Sequence, residues 1–464
     1  MHACYIERRV SLADRIARRL PLAAWAFVVA ATITALLYGG AVTGFFIFDD
    51  FVWLECAKQS QNAPGHLFNL HISGFWRPLA HLVFAGLYAL FGLAPTGYHI
   101  AALLFHVLCA ALLAHLTLRL TGDRWLGLLA AVLFVLDPIY QEATLWIAAL
   151  NEPVSAAVAL GALLGWHRFL TRDGAAARGG YALAVAGVAL ALAGKESTVT
   201  VLPALALLQL GLHLQRREGL RQRSTAFYVL PTLILGAYLV GQLLVQRENL
   251  LVTRGEYEVG LHAALRLWRN LGELLHHTWP LFAAAALGML AERRWRRRDL
   301  LVALYLVGVV AVLMLPYLMF RWKVMASRYF YTSAMVVAVL GALALRRLIT
   351  SRRRLPKVLA LLALAGITWH AASFSGLRVR QYVATAGKVE RFVRAMRELP
   401  APRPWTLLVD SPLEGQHLEA AMRLFHPSHQ GRFRRLTEDQ LAAYDGPGQV
   451  WRWHPQRQVL TRIR

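Results

Sequence analysis

The sequence predicts an all-α polytopic membrane protein of about 11 transmembrane helices, with juxtamembrane helices on the outer side and a small C-terminal α/β appendage. Three observations predict it. Of 464 residues, 57% are hydrophobic and only 16% charged, with a mean hydropathy of +0.44. A soluble chain is closer to half apolar and about a quarter charged. Uncharged runs near the bilayer-crossing length of about 20 residues recur along the chain, and arginine clusters separate them in alternate gaps.

The first run, Leu20 to Phe48, carries no charge. It exceeds the apolar core of a signal peptide, about 7–15 residues, and no small-residue cleavage site follows, so it is expected to remain as an anchor. Gly97 to Leu118 comes next, then Trp125 to Ile147, interrupted by Asp137 and Glu142. Pro153 to Leu170, Gly179 to Gly194, Ser197 to Leu214 and Ala226 to Gln246 follow. Thr278 to Ala291, Leu300 to Phe320, Tyr329 to Leu345 and Val358 to Phe374 complete the set.

Charge decides the status of Pro78 to Leu93, which is apolar but has only 16 residues. If it lies at the interface, the N-terminal tail and the even-numbered gaps share one side and hold 25 basic against seven acidic residues. The opposite loops, without the C-terminal tail, hold ten basic and eleven acidic. Letting it span would carry 20 of those basic residues outside, against the positive-inside rule. It is therefore expected on the outer surface. So is Leu261 to Leu275, where Leu261, Leu265, Trp268, Leu271 and Leu275 recur at helical spacing.

Residues 1–375 then form the membrane module, with the N-terminus inside, and residues 376–464 an outer C-terminal domain. That tail is expected to open with an amphipathic helix bearing Val389, Phe392, Val393 and Met396. Strand-like segments follow at Trp405 to Val409 and around Gln449 to Trp453. Topology accounts for the net charge of +24, and no basic stretch carries the aromatic interleaving of a nucleic-acid surface. Cys4, Cys56 and Cys109 fall in three different compartments, so no disulfide framework is expected.

Charged groups at the hydrocarbon boundary cost several kcal/mol unless paired, which makes them the candidates for function. Asp49 and Asp50 stand at the outer end of the first run. Their structural alternative is to cap a short helix, Phe51 to Gln59. Two adjacent carboxylates repel, which raises one of them toward use as a base. Asp137, Glu142 and Glu152 gather at the outer turn between the third and fourth spans; the structural alternatives are ordinary interfacial acids at Glu142 and Glu152 and a helix terminated by Asp137 with Pro138. Lys195-Glu196 follows a run of only 16 residues, so the pair is expected to dip toward a protein cavity; its alternative is mutual compensation. Arg321 and Lys323 suit headgroup contact. Arg328, opening Ser327-Arg328-Tyr329-Phe330-Tyr331, suits a bidentate grip on a lipid phosphate. Gly161-x-x-x-Gly165 reads as a small-residue helix contact. No histidine pair has metal-site spacing.

Taken together, Phe48-Asp49-Asp50, Trp76-Arg77-Pro78-Leu79, Gly97-Tyr98-His99, Asp137-Pro138 with Glu142-Ala143, Trp146-Ile147-Ala148, Lys195-Glu196-Ser197 and Arg328-Tyr329 resemble the GT-C superfamily of membrane glycosyltransferases. The similarity is to the bacterial relatives of the tetratricopeptide-bearing transmembrane O-mannosyltransferases, without the repeats, and it covers Phe48 to Leu208 best. It implies a mannosyltransferase-like, inverting transfer of a sugar, hexosyl or pentosyl, from a polyprenyl-phosphate carrier to a hydroxyl of a glycolipid, glycan or protein. The reaction would take place on the non-cytoplasmic face. Asp49 would be the general base, with Asp50 beside it. Arg77, Asp137, Glu142 and Glu152 would position donor or acceptor, with a divalent metal ion as one means. Lys195, Glu196, Arg328 and Tyr329 would form the lipid-phosphate site.

Heavy arginine use, 45 Arg to five Lys, points to a bacterial inner membrane and a periplasmic tail. Two other classes compete. A transporter or flippase of lipid-linked glycans predicts inverted repeats and broken helices at the bilayer midplane. A non-catalytic assembly subunit would tolerate loss of Asp49 but not of residues 376–464.

Overall fold

The computed structural model describes residues 21–68, 75–214, 225–246, 255, 260, 262–292, 297–320, 325–399, 405–426, 432–444 and 449–463. Cys4 and the N-terminal arginines, the cluster Arg216 to Arg223, and Arg321 with Lys323 lie outside the described residues. Among the described residues, nine helices are long and apolar enough to cross a membrane, or ten if one bent pair counts as a span. The protein is an integral membrane protein. The eighth expected span, Thr278 to Ala291, is a helix of 14 residues, Trp279–Glu292, which at 1.5 Å per residue reaches only about 21 Å.

Helix α1 (Leu22–Tyr38) gives way at Gly39-Gly40 to a 3-10 turn, Gly39–Thr43, because two adjacent glycines sustain an α-helix poorly. The chain runs on extended to Phe48 and starts α2 (Asp49–Asn62). The apolar helix α3 (Pro78–Phe91) packs against α2, with Trp53 stacked on Phe84 at 4.9 Å. Its 14 residues are too few to span, in keeping with its expected place. Helix α4 (Pro95–Thr121) ends at Gly122, whose φ of 75° suits glycine. Asp123 then caps α5 (Arg124–Leu136) through the Trp125 and Leu126 N–H groups.

The third expected span does not run through to Ile147. It breaks at Asp137 with a bend of 44°. Pro138 has no N–H for the ladder and forces the residue before it into an extended conformation, ψ 113° at Asp137. A ledge of short turns follows: 3-10 Pro138–Tyr140, helix α6 (Gln141–Leu145) and 3-10 Ile147–Leu150, leading into α7 (Asn151–Thr171).

Helix α8 (Gly174–Gly194) crosses α7 at backbone contact. A Cβ on Gly165 would stand 2.8 Å from the Gly180 carbonyl oxygen, and the reverse distance is also 2.8 Å. Of the expected Gly161-x-x-x-Gly165 contact, only Gly165 takes part; a Cβ on Gly161 would meet open space. After Lys195 come a 3-10 turn, Glu196–Thr200, and α9 (Val201–Leu214), then α10 (Val229–Gln246), α11 (His262–Leu275), α12 (Trp279–Glu292), α13 (Arg297–Met314) and α14 (Tyr331–Ile349). One core joins α1, α4, α5, α7 and α14, with Phe134, Tyr140 and Tyr331 fully buried in it.

Helix α15 (Arg354–Arg397) has 44 residues, about 66 Å at 1.5 Å per residue, against an apolar thickness of about 30 Å. The last expected span and the amphipathic helix of the tail are thus one rod, and residue 375 lies inside it. Its far end buries Val389, Phe392, Val393 and Met396 against the C-terminal domain. That domain holds β1 (Trp405–Val409), α16 (Gly415–Phe425), β2 (Arg432–Leu436), α17 (Glu438–Ala442), β3 (Gln449–His454) and β4 (Val459–Arg462). The sheet order is β2-β1-β3-β4, with β1 parallel to β2 and β3, and β4 antiparallel to β3. Both expected strands are present; β2 and β4 complete the sheet. The domain docks α16 on α2, where Phe425 packs against Phe45 and Phe51 at 5.7 and 6.2 Å, and Arg423 forks onto Glu55.

Candidate active site

The turn at Phe48 sends the two adjacent aspartates in opposite directions. Its φ of 45° is rare for a residue with a side chain, and α2 begins directly after it. Asp50 points inward and is fully buried. Its Oδ2 accepts from the Ile47 N–H at 2.8 Å and its Oδ1 from the Ala148 N–H at 2.7 Å. Burial pushes its carboxyl well above the usual carboxylate range, more than the two N–H donors pull it back. Asp50 therefore ties the α2 turn to the ledge and spends both oxygens doing so. Asp49 keeps 45% of its side chain exposed at the helix N-terminus, where the macrodipole favours a carboxylate.

A belt of three cations and three carboxylates lies along the same end of the bundle. Arg77, just before α3, forks onto Glu196 at 2.7 and 2.8 Å. Lys195 pairs with Glu152 of α7, both side chains only 3% exposed. The alternative, compensation of Lys195 by its neighbour Glu196, is not what forms: the backbone at Lys195 is extended, φ −160°, and each side chain takes a partner from another element. Arg328 reaches Glu142 of the ledge at 3.1 Å, and Glu142 also accepts from the Arg328 N–H. Tyr329 is the hub. Lys195 Nζ and Arg328 Cζ lie 4.9 and 4.7 Å from its ring centre, and Tyr317 stacks on it at 4.7 Å.

The ledge joins this belt to the aspartate turn. Arg328 lies over Trp146 at 5.2 Å, while Asp50 holds Ala148 two residues further on. Of the residues singled out in the sequence, Asp49, Asp50, Arg77, Glu142, Glu152, Lys195, Glu196, Arg328 and Tyr329 are brought to this end. Asp137 stands apart: buried, it accepts from the Ile139 N–H at 3.0 Å and caps the turn after the break. Among the described residues no group of three His, Cys, Asp or Glu side chains converges to hold a metal ion. The belt carboxylates are engaged by cations and Asp50 by backbone, a donor set that does not fit a preassembled metal centre.

Below the belt an apolar cavity of about 1160 Å³ penetrates the bundle between α4, α7, α9, α13 and α14. It starts at Ser197 and Thr198, directly after Lys195-Glu196, and reaches Arg346 and Arg347. At that far end Arg346 pairs with Asp123 at 2.9 Å.

No family model matches the sequence. Two curated relatives are similar over part of it: the protein O-mannosyl-transferase TMTC3 of Homo sapiens, 27% identical over 187 residues, and that of Mus musculus, 28% over 184. The matched stretch is 38% of this chain in the first case and spans about a fifth, 20%, of the relative's length. Among solved structures, ArnT from Cupriavidus metallidurans bound to undecaprenyl phosphate superposes with a TM-score of 0.52 at 14% identity, covering 96% of this chain and 94% of that one. The Archaeoglobus fulgidus oligosaccharyltransferase in complex with Zn and sulfate gives 0.53 at 14%, covering 89% and 62%. The fold is that of the GT-C glycosyltransferases.

In this GT-C fold the C-terminal domain adds a contact that sequence reasoning missed. Nε2 of His417, in the first turn of α16, lies 2.6 Å from Asp49 Oδ1. The two residues are 368 positions apart, and the only sign of His417 in the sequence is a histidine on an amphipathic stretch. Trp146 and Tyr317 were likewise unremarked as site residues; aromatic residues near a membrane boundary are too common to signal one.

Proposed function

We propose that the protein is an inverting glycosyltransferase that moves a sugar from a polyprenyl-phosphate carrier to a hydroxyl acceptor on the non-cytoplasmic face of a membrane. The observation that carries this reading is a belt of cations, with Lys195-Glu196 directly before Ser197 and Thr198 in the wall of a large apolar cavity, joined through the ledge to an exposed aspartate. The match to an O-mannosyl-transferase and the likeness to an ArnT bound to undecaprenyl phosphate support it.

In this reading the polyprenyl chain enters the cavity and its phosphate rests among Arg328, Lys195 and Tyr329. The acceptor oxygen attacks the anomeric carbon from the face opposite the phosphate. Its proton passes to Asp49 while the bond from carbon to phosphate oxygen breaks, so the configuration inverts. The leaving lipid phosphate gains a negative charge and needs cations rather than a proton. Arg328 is the cation best able to turn to it, because its partner Glu142 is 39% exposed and can be taken up by water, whereas Glu152 is 3% exposed and stays on Lys195. Glu196 orients Arg77. Residues 376–464 act as the outer domain, and the arginine-rich inner gaps set the N-terminus in the cytoplasm, with a bacterial inner membrane as the site.

The test is transfer by the full-length protein in bilayer nanodiscs, offered undecaprenyl-phosphate-linked hexoses and pentoses with glycolipid, glycan and peptide acceptors. Released undecaprenyl phosphate is the readout. Asp49→Asn is expected to lose about a hundredfold or more in kcat, within the usual range for a general base, while still binding undecaprenyl phosphate. Undiminished transfer by that variant overturns the assignment.

A further inference from the structure

His417 and Asp49 open two helices from different parts of the chain, α16 and α2, and meet through side chains of their first turns at 2.6 Å. A carboxylate has no proton to give, so the hydrogen between them belongs to Nε2 and the imidazole donates. Oδ1 is therefore occupied, and among the described residues no hydrogen bond is formed by Oδ2. The imidazole is itself held. Its ring meets the Phe48 ring edge-on at 6.4 Å, and α16 is pinned to α2 by the Arg423 fork on Glu55 and by Phe425 among Phe45 and Phe51.

We propose that His417 is a positioning residue for the transfer reaction: by binding Oδ1 it fixes the Asp49 carboxylate with Oδ2 toward the acceptor hydroxyl, so that the C-terminal domain completes the active site. This rests on the reading of Asp49 as the base. In the step itself the acceptor proton goes to Oδ2, and His417 keeps its own. An aspartate carboxylate at a solvent-facing helix end turns about two bonds, Cα–Cβ and Cβ–Cγ, and has several rotamers, and an attack geometry lost by about 1 Å lowers rate on the order of a hundredfold. The domain thereby couples its own docking to turnover.

The experiment compares Asp49→Asn, His417→Ala and His417→Gln in the full-length protein in nanodiscs, with the undecaprenyl-phosphate sugar that the wild type turns over. Gln places an amide N–H near the position of Nε2. His417→Ala is expected to lower kcat roughly tenfold to a hundredfold, with the donor KM within about twofold and the melting temperature unchanged. His417→Gln should recover most of the rate. Equal losses in the Ala and Gln variants, or a wild-type kcat in His417→Ala while Asp49→Asn is inactive, overturn the role of His417 and leave the base in place. An active Asp49→Asn removes the base reading, and the positioning role with it.

Discussion

Lys195 and Glu152 face each other across the start of α7 and the end of α8, an ammonium and a carboxylate with side chains 3% exposed each. Neither charge could stay buried at that depth alone. Glu152→Gln leaves the ammonium beside a neutral amide, and breaking a buried pair costs about 3–5 kcal/mol. The double variant Glu152→Gln with Lys195→Met removes both charges and should recover much of that. Chemical denaturation of wild type, each single variant, Glu152→Gln and Lys195→Met, and the double variant in detergent measures the coupling; additive losses would show the pair to be no unit.

Arg328 and Glu142 should respond in opposite directions to loss of the partner. Glu142→Gln frees the guanidinium, so undecaprenyl phosphate is expected to bind about three- to tenfold tighter, a gain on the order of 1 kcal/mol for a charged hydrogen bond no longer contested. Arg328→Gln should weaken binding by a similar factor or more. Titration calorimetry in nanodiscs decides. Two changes of the same sign would place the phosphate elsewhere.

Asp50 should announce itself through stability and pH. Removing its carboxylate in Asp50→Ala strands the buried Ile47 and Ala148 N–H groups, at about 1–3 kcal/mol each. Because burial raises the folded-state value of this carboxyl above its unfolded one, the folded state holds its proton longer. Its contribution is then greatest at low pH and is lost as pH rises through the raised value. The stability advantage of wild type over Asp50→Asn should therefore shrink as pH rises from about 4, near the unfolded aspartate value, into the alkaline range. Melting curves across that range test the sign.

Cys56 reports on the docking of α16 and its sheet on α2. It is buried beside the interface of α2 with α16, and burial pushes its thiol up to about 12. It should resist maleimide in the folded protein, since the thiolate is the reactive form. Arg423→Ala removes the fork on Glu55 and should speed labelling of Cys56, while Cys109, inside the bundle, stays slow. Mass spectrometry of the labelled peptides gives both rates, and equal acceleration at the two cysteines would mean general loosening instead.

Most spans were readable because a bilayer reduces the sequence problem to length and polarity. Trp405 to Val409 and Gln449 to Trp453 stood out by their β-branched and aromatic content. The ledge did not, although its cause is local: the run Trp125 to Ile147 is apolar enough to look continuous, and only Asp137-Pro138 marks the break. The charged residues were legible as a set, since ionisable groups at a hydrocarbon boundary are rare. Their pairing was not. Arg77 takes Glu196 and Lys195 takes Glu152, partners 119 and 43 residues away, where adjacency suggested Lys195 with Glu196.

What the sequence alone determined is that this chain lives in a membrane and keeps its ionisable groups at the ends of its apolar runs, because desolvating a charge in hydrocarbon costs several kcal/mol. Tertiary structure decided which of the two adjacent carboxylates stays exposed. Phe48 turns Asp50 inward onto backbone N–H groups and leaves Asp49 to a histidine from the far end of the chain. Hydrogen bonds are short and directional, so they depend on where the backbone finally lies, and no spacing rule links residues that meet only once two domains have docked.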